Sequence, residues 1–273
     1  MAEDQHTTPP TAGTRAAEGG STPKIAVIDL WKSFSGKEVL RGVDLDVAAG
    51  ESLVIVGGSG AGKSVLLKHL IGLIQPDRGN IVVDGEDLTR ADPALCLAMR
   101  RKFGMSFQEG ALFDSLSVFE NVAFALRRHT KMRQEAIAAR VHECLALVHL
   151  EGTQGRMPSQ LSGGMRRRVG FARAIALQPE ILLFDEPNTG LDPITSAAID
   201  KVILEMREHL PVTMVTITHD MASAFRIADR IAMLRDGRIL AVAPPEEFRS
   251  LPEPYVQKFL AGEPLDEEEE EVA

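Results

Sequence analysis

The chain reads as an α/β protein, and three features of its 273 residues predict that class. Leu53-Val54-Ile55-Val56, Ile181-Leu182-Leu183-Phe184 and Val212-Thr213-Met214-Val215-Thr216-Ile217 are apolar runs without alternation, as in parallel strands covered on both faces. Val43-Asp44-Leu45-Asp46-Val47 alternates apolar with acidic residues, the pattern of a half-buried strand. From about Ser117 to Leu150, apolar positions recur with helical period at Val118, Val122, Ala125 and Leu126, then at Ile137, Val141, Leu145 and Val148. These predict a parallel core with an antiparallel β portion near the N-terminus and an inserted helical subdomain.

Taken in order, residues 1–22 are rich in Thr, Pro, Ala and Gly and predict a flexible N-terminal segment. Lys24-Ile25-Ala26-Val27-Ile28-Asp29-Leu30 opens an ordered domain spanning 23–243, with the helical subdomain at about 110–175. Ile81-Val82-Val83-Asp84-Gly85 ends in a turn signal and adds to the antiparallel portion. A C-terminal extension covers 244–273. Phe248, Tyr255, Phe259 and Leu260 make it apolar enough to dock, and the expectation is that it packs across a dimer. Its last part, Asp266 to Glu271, is six negative charges in a row and predicts a solvated tail. No internal repeat is present.

Composition narrows the function. A net charge of −9 argues against an open nucleic-acid surface, so no nucleic-acid partner is expected. No apolar run approaches the roughly 18 to 20 residues that span a bilayer; Lys68 breaks the stretch Val65 to Ile71. Work at a membrane therefore requires a partner. Nothing in Met1 to Gly20 resembles a targeting peptide, which points to the cytoplasm. Cys96 and Cys144 stand far apart, in no metal-ligand pattern, and are expected to be reduced core thiols.

Gly57-Gly58-Ser59-Gly60-Ala61-Gly62-Lys63-Ser64 matches G-x-x-x-x-G-K-[ST], after a buried strand and before a helix beginning near Lys63. Its glycines let successive N–H groups turn toward an anion, and the helix N-terminus adds the positive end of its dipole. Lys63 is expected on the β- and γ-phosphates of ATP and the Ser64 hydroxyl on Mg²⁺, with Val65 beginning the helix behind them. Asp185-Glu186 ends the second apolar run, which places carboxylates at the carboxyl edge of the sheet. Asp185 is the expected Mg²⁺ partner, and Glu186 the residue that orients or deprotonates the attacking water. His219 follows the third run at the same edge and is expected to hold the γ-phosphate and that water. It is one of seven histidines, and only its position singles it out.

Leu161-Ser162-Gly163-Gly164-Met165, ahead of a helix over Arg166–Leu177, resembles the Leu-Ser-Gly-Gly-Gln signature of the ATP-binding cassette (ABC) family. The resemblance runs from Lys24 to about Val242. Gln108, in Ser106-Phe107-Gln108-Glu109-Gly110, matches the family's glutamine loop and is implied as a further Mg²⁺ and catalytic residue. Leu191-Asp192 matches the loop after the second acid, His219 the switch histidine, and Phe34 the aromatic that stacks on adenine. The resemblance implies a P-loop NTPase core of ABC type. Ser162, Gly163 and Gly164 would form a second anion site facing the γ-phosphate held by another copy, so two sites complete only in a homodimer. Met165 departs from the family's Gln.

Gly57-Gly58-Ser59-Gly60, Lys63-Ser64-Val65-Leu66-Leu67-Lys68-His69, Met165 and Leu191-Asp192-Pro193-Ile194-Thr195-Ser196 resemble one branch, the Mla-type or MCE-associated lipid-transport ATPases of bacteria. That resemblance implies a peripheral subunit on the cytoplasmic face of the inner membrane. It would drive phospholipid transport between membranes and so maintain outer-membrane lipid asymmetry. Its implied partners are a polytopic permease, a STAS-domain protein and an MCE-domain substrate-binding protein. An ABC ATPase serving another substrate, or one outside transport, is the alternative reading. Chromosome-organising members carry long heptad segments that this chain lacks. A degenerate, non-enzymatic site is opposed by the presence of Lys63, Asp185, Glu186 and His219.

Overall fold

The computed structural model describes residues 22–263. The acidic tail, and all but residue 22 of the expected N-terminal segment, lie outside them. The chain opens with a hairpin, β1 (Ile25–Phe34) and β2 (Lys37–Val47). After β3 (Ser52–Val56) and α1 (Lys63–Leu70), it adds β4 (Arg78–Val83) and β5 (Glu86–Asp87) to the same sheet. This first sheet is antiparallel throughout, in the order β2-β1-β4-β5. The alternation read in Val43–Val47 works as expected: Val43, Leu45 and Val47 are buried, whereas Asp44 faces solvent.

The second sheet is built from β3 and the later strands. These follow α2 (Pro93–Arg100) as β6 (Phe103–Ser106), the helices α3 (Val118–His129), α4 (Gln134–Leu147) and α5 (Gly163–Ile175), then β7 (Ile181–Asp185). The chain continues through α6 (Pro193–His209), β8 (Thr213–Thr218), α7 (Met221–Ile227), β9 (Arg230–Arg235) and β10 (Arg238–Ala243). The strand order is β10-β9-β3-β8-β7-β6, parallel except for β10 at its edge. All five residues of β3 and all six of β8 are buried, which is why their sequences show no alternation.

Capping chemistry sets the helix ends. Ser117 and Glu120 form a reciprocal capping box at the start of α3. Asp92 and Asp192 cap α2 and α6, each followed by proline at the first helical position. The periodic stretch from Ser117 to Leu150 is two helices, because residues 130–133 leave helical geometry after Thr130, whose hydroxyl bonds the Leu126 carbonyl at 2.7 Å. An edge-to-face contact between Phe171 of α5 and Phe184 of β7, 5.0 Å between ring centres, ties α5 to the sheet.

The apolar residues of the C-terminal extension find cover within their own chain. α8 (Pro245–Arg249) and α9 (Pro254–Ala261) fold onto their own chain, where Phe248 and Val256 are fully buried in its core. Burying such a side chain contributes about 1.5–3 kcal/mol. Cys144 is buried as expected, but Cys96 is only half-buried. Its neighbours on α2, Leu95 and Leu97, are half-buried and exposed, so that helix lies on the surface, not in the core.

Candidate nucleotide site

Register places the chemistry at one edge of the second sheet. Val56, the last residue of β3, pairs with Thr218, and Asp185 pairs with Ile217. The loop after β3, the acids ending β7 and the histidine after β8 therefore emerge side by side. A cleft of about 530 Å³ opens there, lined by residues 59–64 together with Val39, Val65, Glu186 and His219, with Asp185 just outside its lining.

Glycine is required at two loop positions. Gly62 caps α1 at φ 104°, and a Cβ there would lie 2.9 Å from Leu40 Cδ2. A Cβ on Gly57 would fall 2.2 Å from the Leu234 carbonyl oxygen, so only glycine lets the loop pass β9. Lys63 is buried, and its Nζ donates to the carbonyls of Gly57 (2.7 Å) and Gly58 (3.0 Å) while lying 3.9 Å from Glu186 Oε1. Burial depresses its pKa, opposed by the charges of Glu186 and Asp185. An ammonium so desolvated, at the lip of the cleft lined by residues 59–64, is suited to an anion.

Asp185 is half-buried, and burial followed by the Glu186 charge raises its carboxyl pKa. The charge of Lys68, contact with the Ser64 hydroxyl and the charge of Lys63 act the other way. Among the described residues, no group of three or more His, Cys, Asp or Glu could hold a metal. The Ser64–Asp185 pair instead supplies two hard oxygen donors beside the phosphate loop, which fits a magnesium ion that takes its remaining ligands from phosphate and water. Glu186 has φ 50°, a left-handed conformation that costs a non-glycine residue of order 1–3 kcal/mol and is characteristic of functional sites. Its N–H donates to the Ile217 carbonyl at 2.9 Å, and Oε2 receives the Thr189 hydroxyl at 2.9 Å and faces His219 Nδ1 at the same distance.

The remaining predicted residues stand outside this cleft. Phe34 ends β1, exposed, with the Lys32 ammonium 5.5 Å from its ring centre; Val39, five positions on, is the β2 residue that enters the cleft. Gln108 is exposed, just past the point where Ser106 of β6 pairs with Phe184 of β7. Ser162 caps α5, accepting from Met165 N at 3.2 Å, and the helix starts at Gly163 rather than at Arg166. A Cβ on Gly164 would meet Thr195 Cγ2 at 2.8 Å, so this glycine lets α5 approach α6. Asp192 accepts from the Ile194 and Thr195 N–H groups at 3.0 Å each, and bonds from Thr195 hold its carboxyl below the ordinary range.

A buried network behind the site was not read from the sequence. Asn188 Nδ2 donates to Asp200 Oδ1 (2.7 Å) and Ser223 Oγ (2.9 Å), Ser223 donates to the same Asp200 oxygen, and Arg226 Nη1 lies 2.7 Å from Asp200 Oδ2. It joins the loop after Glu186 to α6 and to α7, the helix after His219. An acid at Asp200 amid the apolar positions Ile199, Val202 and Ile203 was the available signal.

Comparison with known proteins agrees with this geometry. Residues 40–189 match the family model described as ABC transporter. The chain is 40% identical over 263 residues to the probable ribonucleotide transport ATP-binding protein mkl of Mycobacterium tuberculosis, covering 95% of this chain and 73% of that protein. It is 40% identical over 224 residues to the intermembrane phospholipid transport system ATP-binding protein MlaF of Escherichia coli, covering 82% and 83%. The sulfate/thiosulfate import ATP-binding protein CysA of Caulobacter vibrioides is 41% identical over 232 residues, covering 84% and 67%. Among solved structures, cbiO1 of Clostridium perfringens, part of the ABC transporter complex cbiONQ, aligns with a TM-score of 0.78 at 28% identity over 88% of this chain and 96% of that one. A dimeric cassette, MJ0796 bound to ADP and Pi after hydrolysis, aligns with a TM-score of 0.74 at 31% identity, covering 81% and 98%. With the phosphate loop, its lysine and the paired acids assembled on the fold of these ATPases, the chain belongs to the ABC transporter family as an ATP-binding, ATP-hydrolysing subunit of Mla type.

Proposed function

We propose that this ATPase is a nucleotide-sandwiching subunit that drives phospholipid transport through a membrane-embedded partner. The observation that carries the reading is spatial. Lys63, Ser64, Glu186 and His219 gather around one cleft, whereas Ser162, Gly163 and Gly164 begin a helix elsewhere and do not line it. A signature loop that does not line its own chain's phosphate cleft is free to meet that of a second copy. Two-fold pairing then completes two sites, an arrangement supported by the dimeric cassette structure.

Within each site, the N–H groups of residues 59–64 and the Lys63 ammonium bind the phosphates, with Val39 and Val65 lining the cleft beside them. Phe34 is assigned to the adenine, as the aromatic closest in sequence to Val39. Ser64 and Asp185 would hold Mg²⁺, with Gln108 completing the set from the same sheet edge. When bound, that ion neutralises charge on the transferred phosphoryl group. Glu186 accepts the proton of the attacking water, and His219, in contact with Glu186, fixes the orientation of both. Asp192, held rigid as a helix cap, fixes the loop that meets the partner copy. In this reading residues 23–243 form the ATPase domain, with the inserted helices at about 110–175.

Identity to MlaF supports phospholipid as cargo and a permease, STAS-domain and MCE-domain proteins as partners at the cytoplasmic face of the inner membrane. Identity of 40% and 41% to proteins named for ribonucleotide and for sulfate transport supports the alternative of another cargo. No helix among the described residues is long and apolar enough to cross a membrane, so the transport path belongs to the partner. The test is purification of the full chain from detergent-solubilised membranes, with mass spectrometry of bound proteins and lipids. Co-purifying phospholipid with an integral-membrane protein is expected; sulfate- or nucleotide-dependent ATPase stimulation without lipid would overturn the cargo.

A further inference from the structure

The C-terminal helix stands beside the phosphate loop, outside the nucleotide cleft. Tyr255 stands in the first turn of α9 and is only 7% exposed. Its hydroxyl stands beside the loop: a Cβ placed on Gly58 would lie 3.6 Å from Tyr255 Oη, so the side of Gly58 where a side chain would project faces that oxygen. The preceding residue, Gly57, is confined by the Leu234 carbonyl at the end of β9. The next β9 residue, Arg235, holds its guanidinium 4.1 Å from the centre of the Tyr255 ring. Phe259 stacks on the same ring at 6.3 Å, and fully buried Val256 anchors the helix beneath it.

These contacts bear on the residues that hold Lys63. Its ammonium is bonded to the carbonyls of Gly57 and Gly58, the two loop residues that lie beside Leu234 and Tyr255. A loop with four glycines has many backbone conformations open to it, and binding must select one. A fixed neighbour that excludes the others lowers the ordering cost of binding. The brace acts on the loop before and during reaction alike, so its effect belongs in affinity rather than in the chemical step.

We infer that Tyr255 is a positioning residue for ATP, through which the C-terminal helix sets the affinity of the phosphate loop. The inference rests on the nucleotide-binding reading above and adds to it an element that lies outside the cleft. Any partner that shifts α9 would thereby change the concentration at which the subunit loads ATP.

The test compares Tyr255→Phe and Tyr255→Ala with the wild-type full chain in steady-state ATP hydrolysis, and measures melting temperatures with and without Mg-ATP. Tyr255→Phe removes the hydroxyl beside Gly58 and leaves the ring, its stacking and the Arg235 contact. It is expected to raise KM for ATP about threefold with kcat within about twofold. Tyr255→Ala is expected to raise KM about tenfold, again with kcat little changed. A KM unchanged in both variants, with a lower nucleotide-free melting temperature in Tyr255→Ala, would make the residue structural only and overturn the inference. So would a fall in kcat at constant KM. If Tyr255→Ala does not fold, the Phe variant decides alone. Wild-type protein that neither hydrolyses ATP nor is stabilised by it would overturn the nucleotide reading itself, a failure separate from the other two.

Discussion

Nδ1 of His219 lies 2.9 Å from Oε2 of Glu186, and the Thr189 hydroxyl meets the same oxygen at the same distance. The carboxylate is thus held from both sides: by the loop that follows it and by the residue after the neighbouring strand. The His219 side chain is 59% exposed, so the pair adds little to stability, and its importance lies in orientation. Glu186 supplies the proton acceptor, while His219 links that acceptor to β8 and to the phosphate cleft.

Glu186→Gln keeps the size and the hydrogen bond to Thr189 but cannot take a proton. Turnover should fall by about 10²–10⁴-fold while ATP-induced stabilisation survives and dimer accumulates. Phosphate release and size-exclusion chromatography with Mg-ATP measure both. Because the two residues act as a unit, adding His219→Ala to this variant should cost much less than His219→Ala alone. Unchanged turnover in Glu186→Gln removes that residue from its assigned role.

Lys63→Ala takes away the one buried ammonium at the phosphate loop. At ATP concentrations about a hundredfold above Kd, wild-type protein should gain about 2.7 kcal/mol, or roughly 5–10 °C in melting temperature. The variant should show a shift near zero. A full nucleotide-induced shift in Lys63→Ala would place the phosphates elsewhere.

Much of this arrangement was legible in the sequence because one physical constraint covers several residues at once. A buried strand ending in Asp185-Glu186 and another ending before His219 must, in a parallel sheet, deliver those residues to one edge; the pairs Val56–Thr218 and Asp185–Ile217 do so. The β9–β10 hairpin escaped notice, although Asp236-Gly237, both at positive φ, is a hairpin turn between two apolar runs. The position of Tyr255 was not legible. Its place beside Gly58 joins positions almost two hundred residues apart, and no local pattern encodes such a juxtaposition. The Asp200 network was hidden for a related reason: each member reads locally as a polar residue on a helix or loop, and only packing brings them together.

Asp185→Asn tests the electrostatic cost of the metal site. Burial, and then Glu186, lift the Asp185 pKa above its ordinary value. Between the unfolded pKa, about 4, and that raised value, the folded chain binds more protons than the unfolded one, so stability falls as pH rises through this window. The penalty grows as pH rises through that raised pKa. The variant, which carries no charge there, should melt higher than wild type without nucleotide, by about 2–4 °C for each kcal/mol relieved, and the gap should close toward pH 4. It should also lose the stabilisation given by Mg-ATP. A lower melting temperature at every pH would contradict this account of Asp185.

Phe248→Ala tests the docking of the C-terminal extension on its own chain. The ring is fully buried, faces Phe225 at 6.5 Å, and shares that partner with the Arg249 guanidinium, 4.0 Å from the Phe225 ring centre. Truncation should cost about 3–5 kcal/mol in urea unfolding, independent of protein concentration. A loss that vanishes at high protein concentration would return the extension to the dimer interface.

Asp200 offers the sharpest separation of fold from chemistry. Its carboxylate is 1% exposed and receives Asn188, Ser223 and Arg226. Asp200→Ala strands all three donors and should cost about 3–5 kcal/mol, as when one partner of a buried ion pair is removed. Asp200→Asn keeps the shape and one acceptor oxygen, so most of the stability should return while the bond to Arg226 weakens. The network pins the loop after Glu186 to the helix after His219, and loosening it should disturb the pair that orients water more than the loop that binds phosphate. Asp200→Asn is therefore expected to lower kcat about tenfold with KM for ATP within about twofold of wild type. If stability and kcat both return to wild-type values in Asp200→Asn, the network supports the fold alone and the alignment of Glu186 with His219 is set by the sheet.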